Sequence, residues 1–326
     1  MKAVRIYPDA SGDGTTMRYE DIPEPVPSPR QVLIRIAAAS MNRADILRRN
    51  FHGPGGEADP FTPGTDIAGI VEAVGEAVTE VQPGDLVAAL LSSGGHAEKV
   101  VTHVASTVPL PRGFDASVAA AVPVTYLTCW FPMTSESLGL KPGETALIQS
   151  GASGVGIAGI QIAKHLGARV FATAGSDAKV ERLRALGVDA AINYTTTDFR
   201  AVVLEATKGR GVDYVLESVG GDVFTRSVEV LAPGGRLWIV GNSSGAPEEP
   251  ADPALIAQKN LTISRFALPS EIPTGGTRRE LPRIFDLVAQ GVLQPVIDRT
   301  FPLAEAAAAY EHLAGRHNVG KVLLIP

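Results

Sequence analysis

Hydrophobic and polar residues alternate in short runs over the first 120 residues, and glycines or prolines separate the runs. This pattern predicts strands at 1–7, 31–39, 66–74 and 86–91 and a short helix at 42–49. A cluster of prolines between residues 23 and 29 marks an extended connector. Repeated short strands with such punctuation are typical of a β-rich domain, and we expect a barrel-like one.

The pattern changes after Pro123, where strands and helices alternate at short spacing. The predicted strands are 145–149, 169–174, 190–193, 214–217, 235–240 and 260–266, and the predicted helices between them are 155–166, 178–186, 198–207 and 223–230. Such alternation predicts a parallel, doubly wound sheet of the Rossmann type.

The C-terminal part of the chain, with predicted helices at 278–291 and 304–314 and a strand at 320–325, does not continue this alternation. We therefore predict an α/β chain of two domains. Residues 123–266 form the Rossmann domain, and residues 1–122 form the β-rich domain, which residues 267–326 complete.

The composition fits two domains, because 326 residues exceed the usual domain size of roughly 100–200 residues. The net charge of −6 disfavours a large phosphate-backbone partner such as nucleic acid. The single cysteine, Cys129, excludes an internal disulfide and any metal site built from several thiolates. No apolar run suggests a signal peptide or a membrane span, so we expect a cytoplasmic enzyme.

A glycine-rich turn joins the strand predicted at 145–149 to the helix predicted at 155–166. In this context small residues let the backbone approach a pyrophosphate, and the helix N-terminus supplies N–H donors. A tight turn alone would need only one or two glycines. We therefore predict that a dinucleotide contacts Gly151, Ala152, Ser153, Gly154, Val155 and Gly156.

The end of the next predicted strand indicates which nucleotide is bound. NAD-binding proteins place an acidic residue there to hold the ribose 2′-hydroxyl, but residues 173–176 contain none. Ser176 can hydrogen-bond a 2′-phosphate and Lys179 can neutralise it. We predict NADPH, bound by Gly175, Ser176 and Lys179, although Asp177 argues mildly for NAD and Lys179 could instead be a solvated helix residue.

Six motifs are spread over nearly the whole chain: Asn42–Arg49 (NRADILRR), Pro60–Gly75 (PFTPGTDIAGIVEAVG), Pro83–Val87 (PGDLV), Gln149–Gly156 (QSGASGVG), Ala191–Tyr194 (AINY) and Leu231–Gly245 (LAPGGRLWIVGNSSG). Through these motifs the chain resembles the medium-chain dehydrogenase/reductases, specifically their zinc-independent quinone oxidoreductase (zeta-crystallin-like) branch. The resemblance implies a GroES-like β-rich domain in addition to the Rossmann domain. It also implies hydride transfer from NADPH to a quinone or an α,β-unsaturated carbonyl.

Zinc-dependent relatives in this superfamily carry ligands that this sequence lacks. The resemblance places Thr65 where a histidine ligand would fall, and Asn42 follows Ser40-Met41 where the relatives carry a cysteine. The histidines are scattered without ligand spacing, so we predict no metal. Without a Lewis acid, a conjugated acceptor is easier to reduce, because the incoming charge spreads onto a distant oxygen.

The resemblance also implies roles for residues near the reacting centre. Asn42 matches the family's active-site asparagine, with a helix N-cap as the structural alternative. Some relatives place a tyrosine shortly after this helix; His52 stands in that stretch here and can donate a proton, with solvent as the other source. Thr128 matches a position near the cofactor's phosphates or nicotinamide.

Further cofactor contacts are implied at the ends of later strands and near the C-terminus. Tyr194 and Arg316 match positions beside the 2′-phosphate, and Phe266 matches one near the carboxamide. The loop of Gly241, Asn242 and Ser243 follows a predicted strand at its carboxyl end, and in the family it lies beside the nicotinamide ribose.

Competing functions stay open at this point. We expect an NADPH-dependent reductase of a small quinone or enone, with no membrane or nucleic-acid partner. An enoyl-thioester or alkenal reductase, a non-enzymatic NADPH sensor and a zinc-dependent alcohol dehydrogenase are the alternatives. The predicted strand at 261–266 is expected at the sheet edge, where pairing across a two-fold axis would make a homodimer.

Overall fold

A computed structural model describes residues 1–8, 15–50, 60–271 and 275–326. These residues divide into two compact units. Unit 1 contains Met1–Val124, Pro269–Leu287 and Pro295–Pro326, and unit 2 contains Thr125–Leu268 and Val288–Gln294. The prediction grouped all of 267–326 with the first domain, whereas Val288–Gln294 joins unit 2. There the Gln161 amide donates to the Gln294 carbonyl at 2.8 Å and accepts from its N–H at 2.8 Å.

The N-terminal part of unit 1 consists mainly of strands. They are β1 (Lys2–Pro8), β2 (Thr15–Asp21), β3 (Gln31–Ser40), β4 (Asp66–Val74), β5 (Leu86–Leu90), β6 (Lys99–His103) and β7 (Thr107–Pro109), with helices α1 (Arg43–Asn50) and α2 (Ala116–Ala120). The sequence pattern missed β2, β6 and β7. These strands are short or alternate polar with half-buried positions, so they lack a continuous apolar run.

Unit 2 alternates strands and helices, as predicted. Its elements are α3 (Pro123–Thr134, which begins in unit 1), β8 (Thr145–Ile148), α4 (Gly154–His165), β9 (Arg169–Ala174), α5 (Asp177–Ala185), β10 (Ala190–Asn193), α6 (Phe199–Ala206), β11 (Val212–Glu217), α7 (Asp222–Glu229), β12 (Leu231–Ile239), α8 (Pro253–Lys259) and β13 (Thr262–Arg265). The strands are parallel in the order β10-β9-β8-β11-β12-β13. This is the Rossmann order, which confirms the predicted fold class.

The remaining elements are α9 (Gly276–Ala289), β14 (Ile297–Pro302), α10 (Ala306–Ala314) and β15 (Lys321–Ile325). The last three complete unit 1, because β15 lies between β14 and β3 in the sheet β14-β15-β3-β4-β5-β7, to which β6 adds by pairing with β3. Within the described residues β14 and β7 are the two ends of this path, so no closed barrel forms.

The strand register of unit 1 brings polar residues from distant parts of the chain to one place. Ser40, at the end of β3, pairs with Asp66, at the start of β4. Leu323 of β15 also pairs with Ser40, and the Met41 N–H donates to the Val322 carbonyl at 2.9 Å. The first residue of β15, Lys321, therefore lies close to the segment that follows β3.

Candidate active site

The glycine-rich loop follows β8 at the point where the strand order of unit 2 reverses, between β8 and β11. Ligands bind at such switch points in open α/β sheets. Ser153 is the N-cap of α4, and its hydroxyl accepts from the Gly156 N–H at 3.0 Å. Ser150 has a φ of 54°, a left-handed conformation that is uncommon for a residue with a side chain. The loop is thus held in a defined and locally strained shape.

The start of α4 has the donors that a pyrophosphate requires. In the part of the chain that the structure describes, the Gly154 and Val155 N–H groups bond to no protein acceptor, as expected for the first turn of a helix. A Cβ on Gly156 would lie 2.3 Å from the Ser150 carbonyl oxygen. Glycine at this position therefore permits the tight loop, and the residues present fit a dinucleotide phosphate.

A buried, uncharged network supports the loop from below, and the sequence analysis did not identify it. Gln149 accepts from the Thr173 hydroxyl at 2.6 Å and donates to the Ser227 hydroxyl at 2.9 Å. Thr173 in turn accepts from the Ser150 N–H at 3.2 Å. All three side chains are buried. The only sequence signal was a glutamine at the end of an otherwise apolar strand.

The end of β9 carries the second group of residues predicted to contact the nucleotide. Ser176 is the N-cap of α5, and Lys179 is half-buried in the first turn of that helix. The Tyr194 hydroxyl lies over Gly175, where a Cβ would come within 2.6 Å of it. Asp177 accepts from the Asn193 amide at 2.7 Å. Asp177 is the residue that favoured NAD in the sequence analysis, and one of its carboxylate oxygens therefore already accepts a hydrogen bond from the protein.

The loops after β11 and β12 are joined through their backbones. The Ser243 N–H donates to the Ser218 carbonyl at 2.9 Å, and the Ser244 N–H donates to the Val219 carbonyl at 2.9 Å. Asn242 uses its side chain within its own loop, where it donates to the Ala246 carbonyl at 2.8 Å and accepts from the Ser244 hydroxyl at 2.9 Å. Gly241 precedes it, with Ser218 as its nearest neighbour.

Glu217, at the end of β11, is a buried carboxylate that the sequence analysis did not single out. It accepts from the Val219 N–H at 2.7 Å and from the Gly220 N–H. Burial raises its pKa despite these hydrogen bonds. Its position orders the turn that faces the same sheet edge as the glycine loop.

Residues of α3 and the end of β13 also lie in unit 2. Thr128 is buried, and the neighbouring Cys129 thiol donates to the Val155 carbonyl at 3.2 Å. Burial raises the pKa of Cys129, so it is a poor nucleophile. The Phe266 ring packs against the Phe131 ring with centroids 5.7 Å apart.

Unit 1 contains a buried polar cluster that includes Asn42. The Asn42 side chain accepts from Lys321 Nζ at 2.6 Å and donates to Asp66 Oδ2 at 2.9 Å and to Thr65 Oγ1 at 3.1 Å. Lys321 Nζ also donates to the Met41 carbonyl at 2.9 Å. We call Asn42, Thr65, Asp66 and Lys321 the Asn42 cluster. Sequence reasoning missed Lys321, because it is the first residue of an otherwise apolar strand and resembles an ordinary strand-end lysine.

Other groups hold the Asn42 cluster in place. Asp66 accepts from the Ser40 hydroxyl at 2.9 Å and from the Val124 N–H at 2.9 Å. Asp45 accepts from the Asn42 N–H at 2.7 Å and from the Gly64 N–H at 3.3 Å. Asp45, not Asn42, therefore supplies the side-chain cap at the start of α1.

Burial changes the ionisation of these groups. It raises the pKa of Asp45 to about 6, against the lowering effect of the Asn42 N–H and the Lys321 charge. It also raises the pKa of Asp66 and lowers the pKa of Lys321. Nearby His96 is fully buried, and burial lowers its pKa to about 4. Its Nδ1 lies 3.2 Å from the Tyr310 hydroxyl.

Two further predicted site residues are His52 and Arg316. His52 is outside the described residues. Arg316 belongs to unit 1, has a φ of 56° and lies near Arg43, whose pKa its charge helps to lower after the larger effect of burial. Across the described ranges, no group of three or more His, Cys, Asp or Glu side chains is arranged to hold a metal ion.

Two family models match the chain. The model described as the alcohol dehydrogenase GroES-like domain matches residues 28–112, and the model described as zinc-binding dehydrogenase matches residues 154–290. The single cysteine, Cys129, lies outside both ranges.

Curated relatives match over nearly the whole chain. A quinone oxidoreductase of Pseudomonas aeruginosa is 34% identical over 99% of this chain and 100% of its own length. The chain belongs to the quinone oxidoreductase branch of the medium-chain dehydrogenase/reductases. A 2-haloacrylate reductase of a Burkholderia species is 32% identical over 94% of both chains. A phenolphthiocerol/phthiocerol polyketide synthase subunit of Mycobacterium tuberculosis is 33% identical over 99% of this chain, but the chain spans only 15% of that protein's length.

Solved structures agree with this family. The Escherichia coli quinone oxidoreductase complexed with NADPH has a TM-score of 0.91 at 27% identity and covers 100% of both chains. A structure described as an NAD-dependent alcohol dehydrogenase has a TM-score of 0.88 at 32% identity over 100% of both chains. The CurK enoyl reductase has a TM-score of 0.85 at 29% identity, covering 99% of this chain and 98% of its own. Among the described residues of this quinone oxidoreductase-family chain, no helix is long and apolar enough to span a membrane.

Proposed function

We propose that this protein is an NADPH-dependent reductase of small conjugated carbonyl compounds, quinones above all. The observation that carries the proposal is the end of β9, where a cap hydroxyl (Ser176), a cation (Lys179) and an overlying phenol (Tyr194) stand in place of an acid. These groups suit a 2′-phosphate. The NADPH complex of the related E. coli enzyme supports the same cofactor.

The reduced nicotinamide would supply the hydride when bound, and the protein's own residues would bind and orient it. The Gly154 and Val155 N–H groups are the donors for the pyrophosphate. The Gln149 network holds the loop that presents them. The named activities of the relatives, quinone oxidoreductase and 2-haloacrylate reductase, both involve an acceptor conjugated to a carbonyl or carboxyl group.

We further propose that the reaction uses no zinc. The position that the resemblance aligns with a zinc ligand is Thr65, and the Asn42 side chain beside it faces the Lys321 ammonium at 2.6 Å. A buried ammonium group next to the donor set opposes a divalent cation electrostatically. The residues present therefore do not fit a zinc ion. Metal analysis that finds one tightly held zinc per chain would contradict this.

A cofactor-preference measurement tests the phosphate contact. Lys179→Ala is expected to raise the dissociation constant for NADPH about tenfold and to leave that for NADH unchanged, because only NADPH carries the 2′-phosphate. Lys141→Ala, at an exposed lysine of the same unit, is the matched control. Equal weakening of both nucleotides by Lys179→Ala would refute the assignment.

A substrate panel tests the acceptor class. Purified protein with NADPH is assayed against 1,4-naphthoquinone, a 2-alkenal and a crotonyl thioester, with a saturated aldehyde as the negative control. Quinone turnover with the highest kcat/KM supports the proposal. A preference for the thioester would favour an enoyl-thioester reductase, the second candidate, which the polyketide synthase match and the CurK neighbour support. Tight NADPH binding without any turnover would favour a sensor.

We also propose a homodimer through β13. Among the described residues, this strand pairs only with β12 in the sheet of unit 2. Its other edge is therefore open to pair with a second copy of the chain. Light scattering is expected to give twice the chain mass of 34.0 kDa. A mass of one chain at micromolar concentration would argue against it.

A further inference from the structure

The orientation of the Asn42 amide is determined by its neighbours. Lys321 Nζ has only hydrogens to donate, so the atom 2.6 Å from it must be the amide oxygen. The Asp66 carboxylate accepts, so the atom 2.9 Å from Asp66 Oδ2 must be the amide nitrogen. The second hydrogen on that nitrogen is directed at Thr65 Oγ1 at 3.1 Å.

This arrangement leaves Asn42 with no free donor. Both amide hydrogens and the amide oxygen bond to protein groups, and the residue is only 7% exposed. To bind a substrate oxygen directly, Asn42 would have to give up Thr65 or Asp66. Loss of a buried hydrogen-bond partner is costly because the buried group is left unsatisfied, so such a rearrangement opposes substrate binding.

Thr65 has the donor that Asn42 lacks. Its oxygen accepts from Asn42, so its own hydrogen points elsewhere, and among the described residues no acceptor pairs with it. Thr65 is half-exposed, unlike the rest of the Asn42 cluster. Thr65 is therefore the member of the cluster that a small molecule can approach most easily.

The backbone around Thr65 is rigid. The Thr65 carbonyl accepts from the Leu91 N–H at 2.7 Å. Gly64 before it has a φ of 98°, and a Cβ there would lie 2.5 Å from His96 Cδ2. The hydroxyl therefore sits on a turn that cannot shift easily, which is what preorganisation of a hydrogen-bond donor requires.

We propose that the Thr65 hydroxyl, oriented by Asn42 and Lys321, donates a hydrogen bond to the carbonyl oxygen of the acceptor. The inference rests on the proposed reductase function. In the reaction the acceptor gains a hydride from the reduced nicotinamide and a proton from water. The electron pair displaced by the hydride collects on the acceptor oxygen, and Thr65 stabilises that charge while keeping its own proton. The chain from Lys321 Nζ–H through the Asn42 amide polarises the hydroxyl and strengthens it as a donor.

Thr65→Val and Thr65→Ser form the decisive pair of variants. Valine keeps the shape and removes the hydroxyl, so kcat/KM for the best quinone or enone is expected to fall about 100-fold. Serine keeps the hydroxyl, and its kcat/KM is expected to stay within about threefold of the parent. The NADPH dissociation constant, measured by nucleotide fluorescence, should be unchanged in both.

An isotope effect separates a catalytic role from a structural one. With NADPH deuterated at the transferred position, Thr65→Val should show a larger primary isotope effect on kcat than the parent, because hydride transfer becomes the slow step. Partial inactivation of the enzyme preparation would leave the isotope effect unchanged. If Thr65→Val does not fold, Thr65→Ala takes its place with the same expected values.

The outcomes distinguish this inference from the proposed function. If the parent reduces no acceptor on the panel, the reductase function fails and the inference fails with it. If the parent is active and Thr65→Val retains its kcat/KM, the inference alone is overturned. The Asn42 amide would then be the group that donates to the acceptor's carbonyl oxygen, and Asn42→Ala should lower kcat/KM instead.

Discussion

Each unit holds a buried polar network next to its candidate site, and the two networks differ in charge. In unit 1 the Asn42 cluster buries the Lys321 ammonium group against the Asp66 carboxylate, and the charge of neighbouring Asp45 also acts on it. In unit 2 the network of Gln149, Thr173 and Ser227 contains only amides and hydroxyls. A buried charge that loses its partner costs far more than a neutral group that loses one hydrogen bond. The candidate site of unit 1 is therefore held by charges, and that of unit 2 by neutral hydrogen bonds.

Removal of the buried ammonium should have the largest effect on stability. Lys321→Met leaves the Asp66 carboxylate and the Asn42 oxygen without their cation, and we expect the free energy of unfolding to fall by about 3–5 kcal/mol. Urea unfolding followed by far-UV circular dichroism measures this loss. Lys99→Met, which breaks two partly exposed ion pairs with Glu24 and Glu72, is the control and should change stability much less.

The two tryptophans localise this effect. Trp130 and Trp238 both lie in unit 2, so tryptophan fluorescence reports that unit. If the units unfold separately, Lys321→Met should shift the circular dichroism transition and leave the fluorescence transition in place. A shift confined to the fluorescence transition would contradict the assignment of Lys321 to the stability of unit 1.

The charged network should also make the stability of unit 1 depend on pH through two opposing groups. His96 has a folded-state pKa of about 4, below its ordinary value of 6.5. The unfolded chain therefore binds a proton first as pH falls, and stability is lost between pH 6.5 and 4. Asp45 has a folded-state pKa of about 6, above its ordinary value of 3.8. The folded state binds a proton first, and stability is gained between pH 6 and 3.8.

Asp45→Asn should remove the stabilising proton uptake of Asp45. Relative to the parent, this variant is expected to lose about 2 kcal/mol of stability as pH falls from 6 to 4, because the compensating proton uptake is gone. His96→Gln should show the opposite trend over the same range. The measurement is the difference in unfolding free energy between variant and parent at each pH, in which contributions from other groups cancel. If the unfolding free energies of both variants run parallel to that of the parent from pH 6 to 4, neither Asp45 nor His96 titrates in this range.

The neutral network of unit 2 should give the smallest change. Gln149→Leu removes the acceptor of the Thr173 hydroxyl and the donor to Ser227, and we expect a loss of about 1–2 kcal/mol, seen by tryptophan fluorescence. NADPH affinity should also fall, because Thr173 holds the Ser150 N–H at the start of the glycine loop. Gln258→Leu, at an exposed position on α8, is the control. A loss as large as that of Lys321→Met would remove the contrast between the two networks.

Sequence reasoning predicted unit 2 better than unit 1. The strands β8 to β12 are short apolar runs separated by helical periods, so their positions follow from local pattern. In unit 1 the strands β2, β6 and β14 were missed. Most of their residues are polar or half-buried, and they become strands only because neighbours such as β1, β3 and β15 supply hydrogen-bond partners.

The sequence by itself determined the alternation of strands and helices in unit 2, the glycine loop and the absence of an acid at residues 173–176, because each depends on residues close together in the chain. Only the tertiary structure decided how Asn42 is used. Its partner Lys321 is 279 positions away, and the register of β3, β4 and β15 brings the two together. No local pattern encodes that contact, since it arises from strand pairing over long separations. In the sequence, Thr65 was noted only because it stands where relatives carry a metal ligand. In the structure, its contact with Asn42 makes it the half-exposed hydroxyl of the cluster.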